Sequence, residues 1–221
     1  MRVNWKSEKD EMDSEIALEG KASTPRRAPT QQRSRERVER ILTVAKELIA
    51  AEGSDAMRMS DVAAKAGISI GSLYQYFPDK AAIIRVLAER YNAEGRHCIR
   101  EGLENVGSMA ELLTAFGQLI DTYYGMFLAE PVMRDIWSGT QADKGLREID
   151  LADSRANAAL LAEARGRVRP DADELTLNRS SFTVMSLGEA AMRLAISVGR
   201  EEGDAIVAAY KRMALRELEE T

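Results

Sequence analysis

The stretch RMSDVAAKAGISIGSLYQYFPDKAAI, residues 58–83, decides the fold. Val62, Ala63 and Ala66 form a short apolar stripe at helical spacing, and Gly67 can take the left-handed backbone that ends a helix. Ile68 then turns inward. Ser69 can cap a third short helix by accepting a backbone N–H bond. In that helix Leu73 and Phe77 lie one turn apart on the buried face, and Pro78 disfavours helical geometry at Phe77. Two short helices that cross steeply need a small residue at the contact and a permissive turn. Ala63 and Gly67 supply these, with Ile68 and Leu73 in the shared core and Val62 facing a preceding helix, so the spacing predicts a helix-turn-helix.

Upstream, Val38, Ile41, Leu42, Ala45, Leu48 and Ile49 recur at helical intervals and Gly53 supplies a stop, which predicts a first amphipathic helix. Residues 1–30 have few apolar positions, many charges, and Pro25 and Pro29, and are expected to be a flexible N-terminal extension. Downstream the helices lengthen. Asp79 can cap one through about Arg100, with Ile83, Ile84, Leu87, Ala88 and Tyr91 inward, and Ser108 can cap another through about Glu130. The apolar residues of the latter wrap so far round it that it is expected to be central. Pro131 starts a shorter helix, another runs from about Lys144 to Arg165, residues 166–173 read as a loop, and two more span about 173–199 and 203–219. No two-residue period appears. The expected class is all-α with about nine helices: a homeodomain-like three-helix domain over 31–80, and a helical domain over 81–221.

The formal charge is −5 and the sequence pI about 5.2, which argues against coating nucleic acid through bulk basicity. Any DNA contact must be local. Residues 21–50 carry eight bases against three acids, whereas residues 1–20 carry three bases against six acids, so the positive charge is concentrated next to the helix-turn-helix. Arg26 and Arg27 can serve as a flexible arm in a minor groove. One cysteine, Cys98, gives no intramolecular disulfide and fits a reducing cytoplasm. His97 beside it has no nucleophile to serve. No metal-ligand spacing or phosphate-binding glycine loop occurs, so neither an enzyme, a metal nor a cofactor is expected. No apolar run approaches the about 18 residues of a membrane span, and Met1–Gly20 is acidic without a secretory core. A soluble cytoplasmic protein is expected.

The outward residues of the third helix suit a major groove. Gln75 can pair with adenine through two hydrogen bonds, Ile70 can touch a thymine methyl, and Ser69, Ser72, Tyr74 and Tyr76 offer hydroxyls to phosphate. Gly71 within a short helix costs about 1 kcal/mol relative to alanine, a cost offset if backbone must approach a phosphate or another helix. Lys80 adds positive charge where a helix dipole already favours an anion.

Residues 31–80, and above all GISIGSLYQYFPDKAAI from Gly67 to Ile83, resemble the DNA-binding domain of the TetR family of transcription regulators (TetR/AcrR-like). The resemblance implies that the third helix reads a palindromic operator, with Ser69, Ile70, Gly71, Ser72, Tyr74, Gln75, Tyr76 and Lys80 as DNA contacts. Family members often start the second helix with threonine. Here Arg58 stands there and either contacts phosphate by charge or leaves Ser60 to satisfy the helix end.

Beyond Ile83 the resemblance is architectural. It implies a helical effector domain and a homodimer through about residues 173–219. Ser180, Ser181, Ser186, Gly188, Ala190, Ala191 and Ala195 would allow close helix approach there, unless they face the subunit's own core. Phe116, Tyr123, Tyr124, Met126, Phe127, Met133, Trp137, Phe182 and Met185 are candidates for an effector pocket, and serve equally as core packing. Asp121, and Glu189 with Arg193, are candidate polar anchors. The expected function is sequence-specific repression by a homodimer on a palindromic operator, relieved by a small apolar or amphipathic effector. The alternative is a dimeric DNA-binding protein without a ligand, in an architectural or adaptor role.

Overall fold

The computed structural model describes residues 28–139 and 144–220. They form nine α-helices and no strand: α1 Ala28–Glu52, α2 Met59–Ala66, α3 Ile70–Tyr76, α4 Lys80–Glu104, α5 Met109–Ala129, α6 Pro131–Gly139, α7 Lys144–Val168, α8 Glu174–Ser197 and α9 Arg200–Glu220. The chain divides into two compact units, one ending at Glu39 and one from Arg40 onward. In the first, the described stretch is helical, and Gln32 donates to Glu36 one turn along at 3.1 Å. The expected extension lies outside the described residues as far as residue 27, so the proposed Arg26 and Arg27 arm does too. Its last three residues already belong to α1, with Pro29 in the first turn, where its missing N–H is not needed.

In the second unit the helix ends lie close to the expected signals. Gly53 follows α1 at φ 84° and Gly67 ends α2 at φ 66°. Ile68 N–H reaches back to the Ala63 carbonyl at 3.1 Å and Gly67 N–H to Ala64 at 3.2 Å, which closes the last turn and aims the chain at α3. Ser69 accepts from Ser72 N–H at 3.1 Å, Asp79 from Ala82 N–H at 2.7 Å, Ser108 from Glu111 N–H at 3.3 Å, and Asp173 from Thr176 N–H at 2.8 Å. Each satisfies one of the orphan donors at a helix start.

Three boundaries differ. The helix capped by Asp79, expected to end near Arg100, runs on to Glu104. The loop expected from Gly166 begins later, because α7 runs on to Val168. Glycine's weak helix propensity is overridden by tertiary contact on both sides of it. Arg165 is fully buried and donates to Ser181 Oγ at 3.1 Å, and Arg167 donates to the Leu103 carbonyl at the end of α4. The last helix starts at Arg200, ahead of the expected 203, so Gly203 is helical; a Cβ there would stand 2.5 Å from the Ala195 carbonyl oxygen. Gly203 thus permits the tight corner between α8 and α9.

Ile41, Leu42, Ala45, Leu48 and Ile49 of α1 are buried, as are Met57, Val62, Ala63, Ala66, Leu73, Phe77, Ile83 and Leu87. As expected, α5 is central: it packs against α4, α6, α7, α8 and α9. Helix α8 lies between α7 and α9 in extensive contact with both. No helix among the described residues is long and apolar enough to cross a membrane.

Candidate nucleic-acid interface and ligand cavity

The α2–α3 pair buries Val62, Ala63, Ala66 and Leu73 and turns its other residues out. Ile70 is 44% exposed and Tyr74, one turn on, 50%, so an isoleucine and a tyrosine share a surface that the chain's own core does not use. Ser69, Gly71 and Gln75 are also exposed, whereas Ser72 and Tyr76 are half-buried. A Cβ placed on Gly71 would meet nothing within 4 Å, so no contact within the described protein requires glycine there. The hydroxyl oxygen of Ser69 is engaged as the α3 cap, while its hydrogen remains free to be donated.

Arg58 occupies the N-cap position of α2 with extended backbone, and its side chain makes no capping bond. Ser60 does not take over; its hydroxyl donates to Asp61 at 3.2 Å. The first turn of α2 therefore lacks a side-chain cap. Both residues are exposed. Lys80 has a role within the protein itself. Its ammonium donates to the carbonyls of Ser54 and Asp55, each at 3.0 Å, and so fastens the α1–α2 turn to the start of α4. The same turn is held by α6 as well, where Asp135 accepts from Ser54 N–H at 3.0 Å.

Between α4, α5, α7, α8 and α9 lies a partly open pocket with a cavity volume of about 70 Å³. Phe116, Tyr123 and Met185 line it, as does Met126. The remaining aromatic and methionine candidates do not. Phe127, Met133 and Trp137 are core, with Trp137 edge-on to Phe127 at 6.0 Å and to Tyr91 at 6.2 Å. Tyr124 points toward α9, where its hydroxyl bonds Asp204 and the Arg200 guanidinium lies 5.8 Å from its ring centre. Phe182 carries the Arg155 guanidinium 4.9 Å from its ring centre. Asp121 is exposed and pairs with Lys211 at 2.6 Å, so it is a surface bridge from α5 to α9.

Several lining residues escaped the sequence analysis: Tyr91 and Asn92 of α4, Asp153 and Asn157 of α7, and Tyr210 of α9. The α7 signal was available. Asp153, Asn157 and Leu161 recur every four residues on one stripe, and polar side chains on an otherwise buried stripe demand an explanation. Glu189, already paired in sequence with Arg193, does line the cavity, but Arg193 bonds Asp150 at 3.1 Å instead. Glu189 accepts from Ser154 Oγ at 2.5 Å. Burial, reinforced by the neighbouring Asp150 carboxylate and opposed by Ser154 and Arg193, pushes the Glu189 carboxyl up to about 8. Burial likewise raises the phenols of Tyr91, Tyr123 and Tyr210 well above their ordinary range.

The small residues of α8 serve mostly the chain's own core. Ser180, Ser181 and Ala195 are buried, and a Cβ on Gly188 would stand 2.7 Å from the Tyr210 hydroxyl, which itself donates to the Val184 carbonyl at 2.8 Å. The exposed apolar residues of the last two helices are larger: Leu175, Leu187, Leu194 and Met213.

Comparison with known proteins agrees with this architecture. Residues 41–87 match the family model described as bacterial regulatory proteins, tetR family, and residues 110–221 match that described as tetracyclin repressor-like, C-terminal domain. No curated protein matches the chain. Among solved structures, a TetR-family transcriptional regulator from Streptomyces coelicolor is 23% identical with a TM-score of 0.64, over 83% of this chain and 98% of that one. The TetR family repressor AlkX from Dietzia sp., implicated in biodegradation of n-alkanes, is 17% identical with a TM-score of 0.56, over 83% and 96%. FadR from Bacillus subtilis, solved in complex with stearoyl-CoA, is 15% identical with a TM-score of 0.58, over 81% and 96%. At these identities the structural likeness is one of fold, but the two family matches together span both the helix-turn-helix and the domain that holds the cavity. The chain belongs to the TetR family of DNA-binding transcriptional regulators, a family that is not enzymatic.

Proposed function

We propose that the protein is a homodimeric repressor that reads a palindromic operator with α3 and leaves it when a small molecule fills the cavity. Residues 31–80 form the DNA-binding part and residues 81–221 the effector and dimer part. The observation that carries the DNA half is the outward face of α3, where Ile70, Tyr74 and Gln75 are exposed and Gly71 leaves the backbone open to close approach. The side chains of Ile70 and Gln75 suit base edges, and those of Ser69, Ser72, Tyr74, Tyr76, Arg58 and Ser60 suit phosphate.

Dimerisation is supported by Leu187, Ala190 and Leu194, which are exposed on α8 at intervals of three and four residues, and by Met213 on α9, 67% exposed. A row of this kind costs solubility unless a partner covers it. A dimer must present its reading helices about 34 Å apart to enter successive major grooves.

The link between the two halves is α4. Lys80 at its start holds the α1–α2 turn, Tyr91 at its middle lies under the Lys46 ammonium of α1 at 5.5 Å, and Tyr91 onward lines the cavity. A ligand that fits one placement of α4 better than another shifts the equilibrium between DNA-competent and released states by its difference in affinity. The test is selection of bound duplexes from random DNA with the full chain. A palindrome whose half-sites are one helical turn apart is the expected result. Sequences with no two-fold symmetry would refute the dimeric operator, and L187E with L194E should give a monomer in sedimentation that has lost operator affinity.

A further inference from the structure

Among the described residues, the charged ones that line the cavity are both acids, Asp153 and Glu189, and no lysine, arginine or histidine lines it. Asp153 is already neutralised: Arg96 of α4 pairs with it, and Asn157 Nδ2 donates to it at 2.9 Å. Glu189 is not. Its hydrogen-bonding neighbours are the Ser154 hydroxyl and the Asp150 carboxyl, and the Arg193 guanidinium nearby is committed to Asp150.

A second observation is independent of the acids. Asn157 is only 7% exposed, and because a carboxylate can only accept, its amide NH₂ must be the end turned to Asp153. That leaves Asn157 Oδ1 a buried acceptor without a partner among the described residues. The hydroxyl of Tyr91, 5% exposed and on the same cavity, is also without a partner there. Buried polar atoms left in this way call for partners, and Asn157 Oδ1, which can only accept, calls for a donor. Around them stand Phe116, Tyr123, Met126, Met185 and Met192, an apolar and aromatic wall that suits the body of a cation as well as a neutral molecule.

We propose that the cavity takes a protonated organic amine with an aromatic or alkyl body, its ammonium donating to Glu189, Asn157 Oδ1 and Tyr91. The inference rests on the cavity being the effector site. An anionic effector finds no lysine, arginine or histidine on the described lining, and a neutral alcohol brings no positive charge to set against the Glu189 carboxylate. Without ligand, Glu189 keeps its proton near neutral pH, between Asp150 and Arg193, with Ser154, Tyr123, Tyr210, Tyr91 and Cys98 as the other titratable or polar groups around it. Binding an ammonium requires the carboxylate, so that proton leaves for solvent.

Calorimetry on the full chain with 4-phenylbutylamine, 4-phenylbutan-1-ol and 4-phenylbutyrate tests this. At pH 8 the amine should bind at least about tenfold tighter than the alcohol, with the carboxylate weakest; that ratio is worth about 1.4 kcal/mol. Below pH 8 the amine's affinity should fall by about tenfold per unit, because deprotonating Glu189 costs more at each step. In E189Q the amine should lose its advantage while the alcohol binds as before. Should E189Q fail to fold, the wild type still decides: amine binding at pH 7 should release about one proton, read from heats in buffers of different ionisation enthalpy. Alcohol binding as tightly as amine, carboxylate binding tightest, or no proton release overturns the amine and leaves the cavity an effector site. No binding by any of the three overturns the effector site as well.

Discussion

Replacing Gly71 by alanine separates what α3 needs from what DNA needs. In the free protein the new methyl group meets nothing within 4 Å, and alanine restricts the unfolded chain more than glycine does. The variant should therefore be more stable by about 0.4–1 kcal/mol. For a chain of this length that raises the unfolding midpoint by about 1–4 °C. On DNA the sign reverses. If the α3 backbone lies against a phosphate, the methyl group holds them apart, and a hydrogen bond to a charged acceptor, worth about 1.5–3 kcal/mol, is lost at each half-site. That is about a tenfold to hundredfold loss of affinity per half-site. Thermal unfolding followed by circular dichroism gives the first quantity, and fluorescence anisotropy on a duplex recovered by selection gives the second. Unchanged affinity would refute close backbone approach at Gly71. A lowered midpoint would show that the protein itself needs glycine there, against the open space around it.

Gln75→Ala should alter base preference at one position of each half-site, whereas Tyr74→Ala should weaken binding to all sequences and flatten its salt dependence, both measurable by anisotropy across salt concentrations. Equal losses on selected and random DNA for Gln75→Ala would remove it from base reading. Lys80→Ala should lower the unfolding midpoint even without DNA, because two carbonyls of the α1–α2 turn lose their donor. Gly203→Ala places a methyl group 2.5 Å from the Ala195 carbonyl oxygen and 2.9 Å from the Tyr124 hydroxyl, so overpacking of about 1–3 kcal/mol should outweigh the gain in helix propensity; a midpoint at or above wild type would contradict this. Glu189 holds its proton in the folded chain up to about 8, against an ordinary value of 4.5. Between those values the folded state binds more protons than the unfolded one, so stability falls as pH rises. Denaturant titrations should show wild type losing ground to E189Q from about pH 4.5 to 8, and parallel curves would remove Glu189 from the pH response.

The helix-turn-helix was legible because its signals are local. Ser69, Asp79 and Ser108 cap where a short polar side chain precedes an apolar stripe, and Gly67 takes the left-handed turn that its place between two such stripes requires. The cavity was less legible because lining it depends on how helices distant in sequence meet. Phe127 and Trp137 have the chemistry of a pocket wall, yet they pack against each other. Asp153 and Asn157 are polar, yet α7 turns them inward, where Arg96 reaches across from α4 to Asp153. The same limit applied to the small residues of α8. Sequence spacing shows that a helix can be approached closely, and only the fold shows that Ser181 and Gly188 are approached by Arg165 and Tyr210 of the same chain.

Helix α4 has one more consequence, a mechanical one. Its 25 residues amount to a rod about 37 Å long, with no proline to break it. The rod is pinned to the α1–α2 turn at one end and borders the cavity along its other half. A tilt of about 5° about the cavity end would carry the opposite end through about 3 Å, and in a symmetric pair the two displacements add. Set against the about 34 Å interval of successive grooves, a rotation that small is enough to put two correctly folded reading heads out of step with their DNA.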